Sequence, residues 1–104
     1  MRETQVEAAL TRGAAELVGR AYKWVSPSDA GVPDRLVVLP MPRCPSCGSA
    51  CRVGAVELKA PGQVLRPLQQ RQHETLQALG MHVGWADTPG GARAWLQGLA
   101  RGLQ

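Results

Sequence analysis

The order in which two hydrophobic periods follow one another constrains the fold of this 104-residue chain more than any other feature. Over residues 3–19 the apolar positions recur at steps of three and four, which predicts an amphipathic helix. The segments 21–25, 35–40 and 52–60 have the apolar and alternating patterns of strands instead. The first half of the chain therefore predicts one helix followed by three strands.

The helical period returns at Leu65. Pro67 suits the first turn of the second helix, and Gly80 is a typical stop. The residues that mark one face of this helix are four leucines: Leu65, Leu68, Leu76 and Leu79.

Residues 81–86 alternate again and predict a fourth strand. Thr88 and Pro89 have the character of an N-cap and a first helical residue, so a last helix follows. We expect residues 52–60 to pair antiparallel with the strand that precedes them. The order α-β-β-β-α-β-α predicts an α/β fold, with a mixed central sheet flanked by helices.

Composition allows a single domain over residues 1–104. With three Trp, one Tyr and no Phe, the core must be built from Leu, Val and Ala, and a second copy of the chain would help such a small core. The net charge of +4 permits a polyanion such as nucleic acid without requiring one. No apolar run approaches the ~20 residues of a membrane span. Since the N-terminus is charged, it is no signal peptide, and we expect a cytoplasmic protein with no membrane partner.

Glu57 and Lys59 stand two residues apart on a predicted strand and therefore share one face of it. Asp34 directly precedes the previous strand, so antiparallel pairing brings it close to Glu57. Two converging carboxylates repel each other unless a divalent cation lies between them, and oxygen ligands favour Mg²⁺ or Mn²⁺. The alternative is that Glu57 and Lys59 are two surface charges on an edge strand.

The segments GVPDRLVVLP, AVELKAPG and LRPLQQRQHETLQALG resemble the VRR-NUC branch of the PD-(D/E)xK nuclease superfamily. The resemblance runs from about Gln5 to Leu96. It depends on the ordered set of P-D, E-L-K, a P-G turn and a helix that opens with P-x-Q. It implies a restriction-endonuclease-like α-β-β-β-α-β core with an extra C-terminal helix. It also implies an endonuclease that hydrolyses DNA phosphodiesters with Mg²⁺ or Mn²⁺.

Carried over by position, the resemblance makes Asp34 and Glu57 metal ligands, the backbone carbonyl of Leu58 a third ligand and Lys59 the catalytic lysine. Glu7 matches an acidic residue of the first helix that binds a second metal or a metal-bound water. The alternative for Glu7 is that it stabilises the first turn of its helix through the helix dipole.

Gln69 matches the family glutamine at the start of the next helix, which supports the lysine, and Gln70 is the neighbouring alternative. Gln69 as a solvated helix residue is the other reading. The basic residues expected to contact DNA phosphates are Arg35, Arg66 and Arg71, although Arg71 equally suits an exposed helix face.

Small free-standing members of the family are similar to Holliday-junction resolvases. This similarity implies a homodimer that is selective for branched DNA structures. Two active sites related by a two-fold axis suit paired nicks on a symmetric substrate.

Cys44, Cys47 and Cys51 form a Cys-rich hairpin insertion at about residues 41–52 that departs from the family pattern. C-x-x-C followed by a third cysteine is typical of a structural zinc knuckle, but a closed site needs a fourth ligand. None is nearby, and His73 and His82 are the only histidines. The alternatives to bound Zn²⁺ are a surface loop of reduced thiols and an adventitious disulfide between two of the three cysteines.

A second functional hypothesis is a non-catalytic nucleic-acid-binding module with a structural zinc knuckle. In that case the acidic cluster is incidental. The two hypotheses differ on Glu57→Ala and Lys59→Ala, which abolish an enzyme and leave a binding module unaffected.

Overall fold

The structure is a computed structural model that describes residues 2–26, 30–40 and 51–102. The elements within these ranges are α1 (Glu3–Glu16), β1 (Arg20–Lys23), β2 (Arg35–Pro40), β3 (Cys51–Leu58), α2 (Pro67–Ala78), β4 (His82–Ala86) and α3 (Pro89–Arg101). The predicted order α-β-β-β-α-β-α is confirmed. The predicted insertion at about residues 41–52 overlaps β3, because Cys51 pairs with Pro40 as the first residue of that strand.

The four strands form one sheet in the order β1-β2-β3-β4. β1, β2 and β3 are antiparallel neighbours, whereas β4 runs parallel to β3. The parallel pair requires a crossover connection, which α2 supplies. In the β2–β3 pair Arg35 lies opposite Val56, so the start of β2 stands beside the end of β3. The predicted mixed sheet and its antiparallel pair are both confirmed.

α1 and α3 pack against each other and cover one face of the sheet. Because successive strand residues point to opposite faces, Val56 and Leu58 enter this core while Glu57 between them points to the other face. The core consists of leucine, valine and alanine side chains: Val6, Leu10, Ala14, Val37, Leu39, Val56, Leu58, Ala86, Ala92, Leu96 and Leu99.

Two strand glycines allow α3 to approach the sheet closely. A Cβ atom would lie 2.8 Å from the Trp95 ring at Gly54 and 2.5 Å from it at Gly84. The indole of Trp95 therefore lies directly on the backbone of two neighbouring strands. The predicted N-cap of α3 is confirmed, since Thr88 Oγ1 accepts a hydrogen bond of 3.0 Å from the Gly91 N–H.

α2 packs against β4 and begins with Pro67 at its first turn, as predicted. The leucine face that predicted this helix is not its buried face. Leu68 and Leu79 are 44% and 80% exposed, and His73 is the buried residue of the helix. A helical period shows which residues share a face, but not which face meets the rest of the protein. Among the described residues, no helix is long and apolar enough to cross a bilayer.

Candidate active site

Asp34 stands immediately before β2 and faces the end of β3. Its Oδ1 accepts a hydrogen bond of 3.0 Å from the backbone N–H of Leu58. Its backbone carbonyl accepts another of 2.8 Å from Trp24 N–H, which anchors the residue from the side of β1. The β2–β3 register explains this position, because one step beyond the Arg35–Val56 pair Asp34 meets Glu57. The predicted proximity of the two carboxylates is confirmed.

The Glu57 carboxyl is held in an environment that opposes its charge. The residue is 7% exposed. Burial is the largest influence and the charge of Asp34 the second, and together they raise the pKa of Glu57 to about 7. The charge of Glu3 acts in the same direction, whereas Lys59 and the Asp34 backbone N–H lower the pKa. Glu57 therefore titrates near neutrality in the absence of a bound cation.

Lys59 lies beside Glu57, as the period-two spacing predicted. Its Nζ is 3.9 Å from Glu57 Oε2, and its side chain is largely buried. Its backbone N–H donates a 2.9 Å hydrogen bond to the carbonyl of Ala86, at the end of β4. The chain is thus held to the sheet one residue beyond β3, and the ammonium group remains beside the Glu57 carboxylate.

Arg35 is buried, whereas a contact with a DNA phosphate requires an exposed side chain. Its position on β2 has the same parity as buried Val37, so its side chain lies under α1. One guanidinium nitrogen pairs with Glu7 Oε2, and the other lies 3.0 Å from Asp34 Oδ2. A DNA contact at Arg35 stays a prediction, because in this structure its guanidinium is buried and paired with Glu7 and Asp34. Arg35 fixes the orientation of Asp34.

Glu7 is held by the Arg35 guanidinium, so its carboxylate neither stands free in the site nor acts at the first turn of α1. Within the described residues, no group of three or more His, Cys, Asp or Glu side chains is close enough to hold a metal ion. The carboxylates that converge are Asp34 and Glu57. A role for Glu7 as a ligand stays a prediction.

The donor set of this pair fits a hard divalent cation. Asp34 raises the pKa of Glu57, and a cation between the two carboxylates would relieve that repulsion. Mg²⁺ binds through one or two carboxylates and keeps several waters, so two carboxylates and a backbone carbonyl are sufficient protein ligands. The Leu58 carbonyl is adjacent in sequence and stays the predicted third ligand.

Gln69 closes the N-terminus of α2. Its Oε1 accepts a hydrogen bond of 2.9 Å from the backbone N–H of Arg66, the arrangement of one half of a capping box. Arg66 and Arg71 are exposed, as a contact to phosphate requires. Gln70 is exposed and lines a cavity beside α2. The predicted support of the lysine by Gln69 or Gln70 is not tested by these contacts.

Two residues near the site were not predicted. His73 of α2 is 5% exposed, and burial followed by the charge of Lys59 lowers its pKa. Trp85 of β4 is the register partner of Glu57 and is 39% exposed. The strand pattern of residues 81–86 would have placed Trp85 beside Glu57 only if the pairing of β4 with β3 had been known from the sequence. No sequence signal distinguishes His73 from its solvated neighbours.

The predicted zinc site falls largely outside the described residues. Cys44 and Cys47 lie there, while Cys51 is an exposed free thiol at the start of β3. The structure therefore does not test zinc binding.

Comparisons with known proteins extend this description. The chain is 42% identical over 83 residues to "Putative nuclease p44" of Acyrthosiphon pisum secondary endosymbiont phage 1, a match that covers 80% of each protein. A solved structure described as "VRR_NUC domain" superposes with a TM-score of 0.73 at 24% identity, and the match covers 91% of this chain and 94% of that one. No family profile matches the sequence. The structural likeness confirms the predicted restriction-endonuclease-like fold.

Proposed function

Because the chain belongs to the VRR-NUC family, we propose that it is a divalent-metal-dependent endonuclease that hydrolyses DNA phosphodiesters. The observation that carries the proposal is the convergence of Asp34, Glu57 and Lys59 where β2 begins and β3 ends. Withdrawing two carboxylates and one ammonium group from water costs desolvation free energy. Such groups therefore cluster mainly where a protein uses them. The name of the phage relative supports the same activity.

Asp34 and Glu57, with the Leu58 carbonyl, are the residues that would hold Mg²⁺ or Mn²⁺. A divalent cation in this position would polarise a phosphoryl oxygen and make water a better nucleophile near neutral pH. Arg35 and the Leu58 N–H each bind one oxygen of Asp34, so the orientation of this carboxylate is set before substrate arrives. Glu7 contributes by holding Arg35 in place.

Lys59 has two tasks in this proposal. Its ammonium group orients the attacking water and stabilises the negative charge that develops on the phosphoryl oxygens in the transition state. Glu57 must lose its proton before it can act as a ligand, and the neighbouring ammonium favours this loss. Gln69, or its neighbour Gln70 in its place, would support Lys59 from the start of α2.

DNA binding is proposed to involve Arg66 and Arg71, which lie exposed at the start and in the second turn of α2. Neutralising phosphates with such side chains gives affinity that falls as the salt concentration rises. We further propose that the protein acts as a homodimer on branched DNA, as Holliday-junction resolvases do, because paired nicks require two sites. Its place of action would be the cytoplasm, that of the host cell if a phage encodes it. The possible Zn²⁺ site of Cys44, Cys47 and Cys51 would be structural.

The test is a cleavage assay on labelled four-way junction, flap and linear duplex DNA with Mg²⁺, Mn²⁺ or EDTA. Wild-type protein should cut in either metal and not in EDTA. Lys59→Ala should reduce the rate by roughly 10²- to 10³-fold, the usual effect of removing one group that stabilises developing charge. Glu57→Gln should reduce cutting at least as much while DNA binding persists.

Glu16→Gln is the matched control, because it removes an exposed carboxylate at the end of α1, away from the site. It should cut like wild type. Absence of cutting on every substrate in both metals would refute the nuclease proposal. If the wild-type protein did not cut but still bound DNA, with the same affinity as the Glu57 and Lys59 variants, the non-catalytic binding module would replace the nuclease proposal.

A further inference from the structure

A cavity of about 440 Å³ lies between α2, the segment that precedes it and β4. Its volume is within the range of small-molecule sites in proteins. The lining combines Val64 and Leu65 with polar side chains of α2 and with the indole of Trp85. The polar members are Gln70, His73, Glu74 and Gln77.

The chemistry of this lining does not suit a phosphate group. None of its described residues is lysine or arginine, and Glu74 would repel an anion. An amide, an imidazole and a carboxylate beside an aromatic ring instead suit a neutral planar group with hydrogen-bonding edges. Amide and carboxylate side chains are the groups that pair with the amino and ring nitrogens of nucleobases.

His73 supplies an independent sign of a missing ligand. It is 95% buried, and its Nε2 has no hydrogen-bond partner among the described residues. Buried polar atoms are normally hydrogen-bonded, so this nitrogen is an exception that calls for a partner. The imidazole is part of the cavity lining, but Nε2 itself is closed to solvent, so a ligand would reach this nitrogen only after a side chain moved.

The cavity adjoins the candidate active site. Trp85 is the register partner of Glu57 on the neighbouring strand, and strands lie about 4.8 Å apart. His73 is close enough to Lys59 for the lysine charge to lower its pKa, after the larger effect of burial. A nucleotide whose phosphate reached Glu57 and Lys59 would therefore carry its base, or the base of its neighbour, toward Trp85.

We propose that this cavity takes one nucleobase of the DNA strand, unstacked from its neighbours and placed against the indole of Trp85. The inference rests on the proposed function, since it assumes that DNA lies across Glu57 and Lys59. It adds that cleavage requires a base that leaves its stack, which is easiest at junctions, flaps and single-stranded ends. Selectivity for DNA structure would then arise within one subunit.

The test uses oligonucleotides that carry 2-aminopurine at successive positions, titrated with full-length protein in EDTA so that no cutting occurs. One position should show a large change in fluorescence on binding, because the probe leaves its neighbours and meets an indole. Trp85→Ala should abolish that change and weaken binding roughly 5- to 150-fold, the usual range for the loss of one stacked base. Trp85→Phe should keep most of both effects.

Tyr22→Ala is the matched control, since Tyr22 is an exposed aromatic residue of β1, at the opposite edge of the sheet. It should bind like wild type. Equal binding by Trp85→Ala and wild type, or an equal fluorescence response at every probe position, would overturn the inference. Free 2-aminopurine nucleoside should bind far more weakly than the oligonucleotide, because it lacks the phosphate contacts. Binding of equal strength would overturn the assignment to a base within a DNA strand.

A parallel cleavage assay with Mg²⁺ separates this inference from the proposed function. Cutting by wild type, with Trp85→Ala unchanged in binding and cutting, would remove the base site and leave the nuclease. A stacking signal that depends on Trp85, in a protein that cuts none of the substrates, would keep the base site and remove the nuclease. Circular dichroism of each variant establishes whether it is folded. If Trp85→Ala is unfolded, the results for Trp85→Phe test the base site instead.

Discussion

The two faces of the sheet are covered by helices of different character. α1 and α3 bury an aliphatic core on one face, with the ion-paired Arg35 beside it under α1. α2 covers part of the other face, where it buries His73 and leaves Leu68 and Leu79 exposed. Glu57, with its pKa raised to about 7, also belongs to this second face.

This difference assigns separate tasks to the two faces. The α1–α3 face has the close-packed apolar burial that stabilises folded proteins. The α2 face has two buried ionisable groups, Glu57 and His73, whose pKa values burial shifts, and such groups are typical of functional sites. Substitutions in the first should therefore change stability, and substitutions in the second should change chemistry. The predictions that follow test this division, beginning with the largest expected effect.

Leu96→Ala in α3 should destabilise the protein by about 2–5 kcal/mol, because it removes a fully buried side chain from the core. Leu79→Ala at the end of α2 should change stability by less than about 0.5 kcal/mol, since that leucine is exposed. Urea unfolding of both variants measures the difference. Comparable losses in the two variants would show that the two faces do not differ as described.

Glu57→Gln should stabilise the metal-free protein, and more so as the pH rises. A carboxyl whose pKa is 4.5 when unfolded and about 7 when folded holds its proton more tightly in the folded state. Its contribution to stability is full below pH 4.5 and is lost as the pH rises through 7. The difference in unfolding free energy between variant and wild type should therefore grow by roughly 3 kcal/mol over that window.

Urea unfolding of both proteins in EDTA at several pH values measures this difference. The titrations of other groups largely cancel, because wild type and variant share them. Millimolar Mg²⁺ should stabilise wild type above pH 7 more than it stabilises Glu57→Gln. A pH-independent difference would show that Glu57 is ionised normally in the folded protein.

Substitutions at the two helix caps should have the smallest effects on stability, and they compare the cap of α3 with the cap of α2. Thr88→Ala should cost about 1 kcal/mol, because it removes the hydroxyl that caps α3, and it should leave cleavage by the folded protein unchanged. Gln69→Ala removes the cap of α2 and should cost a few tenths of a kcal/mol but lower the cleavage rate. If cleavage by Gln69→Ala equals that of wild type, Gln69 serves only as a cap.

The order of elements and the main site could be predicted because both depend on local patterns. Pro67, Thr88 and Pro89 mark helix starts through chemistry that acts within one turn. The meeting of Asp34 and Glu57 follows from antiparallel pairing of neighbouring strands, which a short connection favours.

The environment of α2 could not be predicted, because it depends on contacts between segments distant in sequence. The leucine spacing indicated a helix, yet His73 became its buried residue. The burial of Arg35 depends on Glu7, which stands 28 residues earlier in the chain and supplies the charge that makes burial tolerable. The position of Trp85 beside Glu57 required knowledge that β4 is parallel to β3.

The pairing of β2 with β3 also determines where the gene can tolerate insertions and deletions. Adding or removing one residue inside β3 would turn Glu57 toward the apolar core and Leu58 away from it, so core and site would be lost together. A change of length between Pro40 and Cys51 shifts no paired residue, because it falls between the strands. The cysteine-containing segment occupies that interval, so a change in its length would leave the register that brings Asp34 to Glu57 intact.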